Sequence, residues 1–133
     1  IETGNEFWRT GKFKVRETIG ISEDGEKLFI RTMNDTILAL HVSEKLREPL
    51  WITNCGFGYD ISSSQIVEKD GTIFYATKNG MIYSLDSETG KILWQHKSTN
   101  GLINTITPLT NNKFITTDFD GKVNCFFISS EKK

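Results

Sequence analysis

The stretch Asp70–Trp94, DGTIFYATKNGMIYSLDSETGKILW, decides the fold. Thr72 to Thr77 places apolar Ile73 and Tyr75 on one face of an extended segment and their neighbours on the other. Asn79-Gly80 follows, a pair that tolerates positive φ and closes a tight hairpin, and Met81 to Leu85 resumes the alternation. A second turn, Asp86 to Gly90, leads into Lys91 to Gln95, whose Trp94 is large enough to anchor one sheet against the next. A fourth, outlying strand is expected ahead of these at Ser64 to Val67.

Each of these segments has a near-copy elsewhere. Glu2-Thr3-Gly4 followed by Trp8 repeats as Glu88-Thr89-Gly90 followed by Trp94, 86 residues later, and Trp51 falls midway. All the tryptophan in the chain therefore lies at intervals of 43 residues, within the period of a four-stranded propeller blade. The hairpin recurs in the same way, at Leu28 to Leu40 around Asn34-Asp35 and at Phe114 to Phe126 around Asp120-Gly121. A single repeat of this kind buries its apolar faces only by stacking on its neighbours. The expected fold class is all-β, a β-propeller segment of about three four-stranded antiparallel blades.

Taken in order, residues 1–10 match only the outer strand of a preceding blade, with the turn Thr3-Gly4 and Trp8. Residues 11–53 make a full blade: a connector (Gly11 to Glu17), an inner strand (Thr18 to Ser22), the hairpin Lys27–Thr32 and Thr36–His41, and an outer strand (Glu48 to Thr53). The polar run Ser43 to Glu48 replaces the Thr-Gly turn there, which predicts an irregular and longer turn. Residues 54–97 make the second full blade. Residues 98–128 give three strands of a third, at Thr105–Leu109, Lys113–Thr117 and Lys122–Ile128, and 129–133 are a polar tail. An orphan outer strand at the front thus complements a last blade lacking one. In closed propellers such a strand completes the blade at the other end and removes an open edge. About three blades cannot close a ring, so the rest must come from a larger parent chain or from a second copy.

Composition limits the partners. The chain has 133 residues, 37% hydrophobic and 25% charged, with 16 basic against 17 acidic side chains. Without a basic excess the counterion-release term that drives nucleic-acid binding has no source, and nucleic acid is excluded as a partner. No apolar run is long enough to span a bilayer as a helix. The first residue is Ile and no signal segment follows it, as expected of a processed chain or an excised piece. Cys55 and Cys125 are 70 residues apart with no second Cys at metal-ligand spacing, so no zinc site is expected; whether they pair is open. His41 and His96 sit at strand ends, where neither a catalytic nor a metal role is expected.

The run Tyr83-Ser84-Leu85-Asp86-Ser87-Glu88-Thr89-Gly90-Lys91-Ile92-Leu93-Trp94 resembles the repeat of the pyrroloquinoline-quinone-like β-propellers. That superfamily includes quinoprotein dehydrogenases, the propeller lipoprotein of outer-membrane assembly and many other bacterial proteins. The resemblance covers nearly the whole chain and is weakest at His41 to Pro49. In finer detail, Arg16-Glu17, Gly56-Phe57-Gly58-Tyr59-Asp60 and the blade after them are similar to the C-terminal propeller of bacterial proteins that also carry a calcineurin-like metallophosphoesterase domain. The resemblance implies an extracytoplasmic setting, periplasmic or membrane-attached through the parent chain.

Chemistry of its own is not expected in this segment. Quinone-dependent relatives are implied to use adjacent cysteines beside the cofactor, and this chain has no Cys-Cys pair, so no cofactor is expected. A di-metal phosphoesterase centre needs several clustered His and Asp ligands, which two isolated histidines cannot provide. What remains is a binding face formed by the connectors and middle hairpin turns around the propeller axis. Eight and nine residues past each Trp come Arg16 and Glu17, Tyr59 and Asp60, then Leu102 and Ile103, with Asn104 just beyond. Arg16, Glu17, Tyr59, Asp60 and Asn104 are the candidate ligand- or partner-facing residues. Asn34, Asp35, Lys78, Asn79 and Asp120 adjoin them in the turns, where Asn and Asp also serve backbone geometry alone. Trp8, Trp51 and Trp94 are read as structural, docking blade on blade. The expected function is a non-catalytic interaction module that is part of a larger bacterial propeller. The alternatives are the C-terminal propeller of a metallophosphoesterase-type hydrolase whose catalytic domain lies elsewhere, and a purely structural assembly scaffold.

Overall fold

The structure, a computed structural model, describes residues 4–6, 8–15, 19–33, 36–43, 48–56, 64–110 and 112–129. These hold eleven strands and no helix: β1 (Gly20–Ile21), β2 (Lys27–Arg31), β3 (Thr36–His41), β4 (Trp51–Asn54), β5 (Val67–Lys69), β6 (Thr72–Ala76), β7 (Met81–Asp86), β8 (Ile92–Lys97), β9 (Ile103–Pro108), β10 (Lys113–Asp118) and β11 (Val123–Phe127). They form three antiparallel sheets in chain order, β1-β2-β3-β4, β5-β6-β7-β8 and β9-β10-β11. Within each sheet every strand pairs with the next in sequence, the meander of a propeller blade. The expected all-β propeller segment is therefore present, with blades of four, four and three strands.

The hairpins share one register. Phe29 pairs with Ala39, Phe74 with Ser84, and Ile115 with Cys125. Gly80 and Gly121 both stand at positive φ in the middle turns, 76° and 79°, as their Asn-Gly and Asp-Gly sequences require.

Several strand limits differ from the sequence reading. The outlying strand of the second blade lies at Val67–Lys69 rather than Ser64–Val67. Asp70 (φ 50°) and Gly71 (φ 76°) form a two-residue turn with positive φ at both positions, and its geometry brings Lys69 opposite Thr72. In the third blade β9 starts at Ile103, two residues early, with a bulge where Asp118 pairs with Ile103 and Thr117 with Thr105. The outer strand of the first blade runs Trp51–Asn54, displaced toward its C-terminal end. The described residues among 4–10 carry no strand. No disulfide joins Cys55 and Cys125.

The core follows from alternation on two-sided sheets. Phe29, Ile37, Ala39 and Trp51 of the first sheet meet Ile73, Tyr75, Tyr83 and Leu85 of the second. The other face of the second sheet, Phe74, Ala76 and Ile82, meets Ile103, Ile106 and Phe114 of the third. On the outer side of the first sheet Ile30, Leu38 and Leu40 are covered by Phe13 from the preceding connector. Successive residues of β6 and β7 are therefore apolar on both faces, which is why these strands read as near-continuous hydrophobic runs.

Candidate functional site

The connectors and middle turns meet at one end of the sheets. The Met33 N–H donates to the Lys14 carbonyl (3.0 Å), and Val15 bridges to Thr32, which ties the first connector to the first hairpin. The third connector touches two blades at once. Ser98 N–H donates to the Gly80 carbonyl (2.8 Å), Lys97 Nζ donates to the Asn79 carbonyl, and Phe119 N–H donates to the Leu102 carbonyl (3.1 Å). Gly80 is needed here twice over, for its positive φ and because a Cβ would overlap the Thr99 carbonyl.

This end carries Asn79 and Asp120 in the open, Lys78 half-buried, and the ring of Phe119, which is 70% exposed. Asn104 sits at the β9 bulge, half-buried, and its Oδ1 is enclosed and accepts no hydrogen bond among the described residues. Asp118, at the end of β10, is buried; its Oδ1 accepts the N–H groups of Asp120 (3.0 Å) and Lys122 (2.9 Å). Its Oδ2, like the Oδ1 of Asn104, is enclosed without a donor among the described residues. The other sequence candidates, Arg16, Glu17, Tyr59 and Asp60, and the turn residues Asn34 and Asp35, lie outside the described residues.

Arg31 escaped the sequence reading. It is 3% exposed at the end of β2, its guanidinium 5.5 Å from the centre of the Tyr75 ring across the first blade interface. Its signal was the alternation itself, because Phe29 and Arg31 share the face of β2 that turns to the next blade. Chemically the end offers amide, carboxylate and aromatic groups, suited to hydrogen bonding and stacking. Among the described residues no group of three His, Cys, Asp or Glu side chains converges as metal ligands would.

The opposite rim is where the charges are spent on structure. Trp51 Nε1 donates to the Ser87 carbonyl (2.9 Å) and Thr53 Oγ1 to the Gly90 carbonyl (2.5 Å), so the β7–β8 turn closes over the indole. Trp8 Nε1 makes the matching bond to the Val42 carbonyl (2.7 Å) after β3. Trp94 packs edge-on to Phe114 (6.0 Å) and parallel to His96 (5.7 Å). Lys69 holds Glu23 at 2.8 Å and Lys27 holds Glu88 at 2.6 Å, both pairs crossing from first to second blade. The Lys69 ammonium and the Asp70 N–H hold the Glu23 carboxyl below its usual range. Asp86 is likewise lowered, by the Thr89 N–H and hydroxyl, and Asp24 by the Ser22 hydroxyl. Lys27 and Lys69 are raised by hydrogen bonds to their carboxylates.

A family model described as outer membrane protein assembly factor BamB matches residues 1–124. Among solved structures the chain is similar to BamB from Moraxella catarrhalis, with a TM-score of 0.61 and 17% identity, covering 78% of this chain and 34% of that one. It is also similar to the computationally designed Ika8 protein, with a TM-score of 0.65 and 14% identity, covering 77% of this chain and 30% of that one. At such identities the likeness concerns the fold alone. The chain spans about a third of the length of these structures. No curated protein matches it significantly.

Proposed function

Because the chain belongs to the family of the outer membrane protein assembly factor BamB, a propeller family, we propose that it is a non-catalytic interaction module within a larger bacterial propeller. In this reading the blades run 11–53, 54–97 and 98–128, residues 1–10 complete a neighbouring blade, and 129–133 form a tail. Trp8, Trp51 and Trp94 dock each blade on the next. The connector end is the working face, where Arg16, Glu17, Tyr59 and Asp60 join Asn104 around the axis to hold a protein partner. The setting is extracytoplasmic, and no nucleic acid or cofactor is bound.

The observation that carries the reading is Phe119, 70% exposed at the connector end that also carries Asn79, Asp120 and the half-buried Asn104. An exposed aromatic ring on an end that also offers amide and carboxylate groups has the composition of a protein-interface anchor. Photocrosslinking side chains at Phe119 and Asn79 should give a protein adduct of one defined mass in cells making the parent protein. The same group at Asp24 and Glu88, on the other rim, should give none. Equal adducts from both rims, or none from either, would overturn the assignment of the face.

A further inference from the structure

The chain contains the same dipeptide twice, Asn79-Gly80 in the middle turn of the second blade and Asn100-Gly101 in the third connector. Asn-Gly is the pair in which a backbone nitrogen most readily attacks the side-chain amide before it, because glycine has no Cβ to hinder the approach. The fold treats the two copies in opposite ways. Gly80 is buried and held from several sides: its N–H donates to the Thr77 carbonyl (3.2 Å), its carbonyl accepts the Ser98 N–H (2.8 Å), and Lys97 Nζ donates to the Asn79 carbonyl. Its Cα lies against the Thr99 carbonyl and its φ is 76°, so its nitrogen reaches the Asn79 side chain only if the turn opens. Asn100, by contrast, is exposed in a bend, and among the described residues the Gly101 N–H meets only Thr99 Oγ1, at 3.3 Å.

From this contrast we infer that Asn100 is a modification site, which converts spontaneously to aspartyl and isoaspartyl forms while Asn79 stays intact. The Gly101 nitrogen attacks Asn100 Cγ; the N–Cγ bond forms, the Cγ–Nδ2 bond breaks, and ammonia leaves with the Gly101 proton, relayed by solvent. A cyclic imide remains. Water then opens it on either side of the nitrogen. Cleavage at Cγ gives aspartate on the original main chain; cleavage at the Asn100 main-chain carbonyl gives isoaspartate, with the chain running through Cγ. Water is the sole co-reactant.

The place of this site gives the conversion a consequence. Either product puts a carboxylate next to Gly101, where Asp120 already stands: a Cβ on Gly101 would lie 3.2 Å from Asp120 Oδ2. The isoaspartyl form also adds an atom to the main chain between two fixed points, the Ser98 bond to Gly80 and the Leu102 carbonyl that accepts the Phe119 N–H (3.1 Å). It therefore loosens the bond that holds the Phe119 turn. Resting on the reading of this end as the working face, the conversion is an ageing reaction of that face, and it weakens the hold on a protein partner.

The test incubates the purified protein in mildly alkaline buffer and follows both sites by peptide mapping that separates aspartyl from isoaspartyl forms. Asn100 should convert at least about tenfold faster than Asn79, because the bonds around Gly80 must open first, and in strong denaturant the two should convert alike. Gly101→Ala should slow conversion at Asn100 about tenfold. Hydrogen exchange at the Phe119 amide should rise in the isoaspartyl fraction, and should stay at its starting level in Asn100→Gln and in Asn100→Asp, which brings the charge without the extra atom. Equal rates at the two sites in the folded protein, an Asn100 that stays intact, or unchanged Phe119 exchange in the isoaspartyl fraction would overturn the inference. If conversion proceeds as expected but a photocrosslinker at Phe119 captures no protein even in fresh material, the modification site stands and the working-face reading falls.

Discussion

The two interfaces between sheets use the same slots and are closed differently. Between the first and second sheets Trp51 lies 9% exposed against Phe29, and the turn Asp86–Gly90 folds over it so closely that Gly90 has no room for a Cβ. Two ion pairs, Lys27–Glu88 and Lys69–Glu23, run along the same rim. Between the second and third sheets the contact is an aromatic stack, Phe74 on Phe114 (5.1 Å) and Phe114 on Phe126 (5.0 Å). Trp94 remains half-buried there beside a groove of about 340 Å³ lined by Phe74, Pro108 and Ile128. In the first interface a turn lies over the indole, and in the second the indole stands edge-on to a stack of phenyl rings.

Trp51→Ala should therefore cost about 3–5 kcal/mol in a urea titration, as for a buried large aromatic. Trp94→Ala should cost clearly less, about 1–2 kcal/mol for its partial burial. Equal losses would break the comparison. The next effect belongs to Gly90, at φ 71° beneath the indole. Gly90→Ala should cost about 3 kcal/mol, from the left-handed backbone and the forced displacement together. Gly121→Ala, at φ 79° with open space around it, isolates the backbone part at about 1 kcal/mol.

Acid should separate the interfaces as well. Glu23, Asp24 and Asp86 are all lowered in the folded chain, so their contribution is complete above their ordinary values, 4.5 for Glu23 and 3.8 for the two aspartates. It is lost as pH falls through the lower folded values. Amide protection at Asp70 and Thr89 should drop on acidification before that of β10, and Glu23→Gln with Asp86→Asn should flatten the difference. The smallest effect is expected from Glu88→Gln, whose partner Lys27 is only one contact on an open rim, at no more than about 0.5 kcal/mol. A larger loss would mean that the ion pairs, not the indole, close the first interface.

Much of this was legible because it repeats. Two-residue alternation and turn pairs such as Asn79-Gly80 and Asp120-Gly121 located the hairpins, and β3 was read to the residue. Local sequence misplaced β5, because Asp70-Gly71 reads as loop until both residues are seen at positive φ, and β9, because a bulge leaves no mark in composition. At the candidate face Asn104 was reachable from its spacing after Trp94. Phe119 was not, since nothing in the sequence around it tells an exposed phenylalanine of a turn from a buried one of a strand. Arg31 was hidden for the opposite reason, a cation in a slot that alternation reserves for apolar side chains.

The indole bonds also set a timetable. Trp51 finds its acceptor 36 residues later in the chain, at Ser87, and Trp8 finds its own 34 residues later, at Val42. As the nascent chain leaves the ribosome, each sheet must wait with one side wet until the following sheet has emerged. The latch then shuts on a finished neighbour, so assembly advances toward the C-terminus with a nearly constant lag.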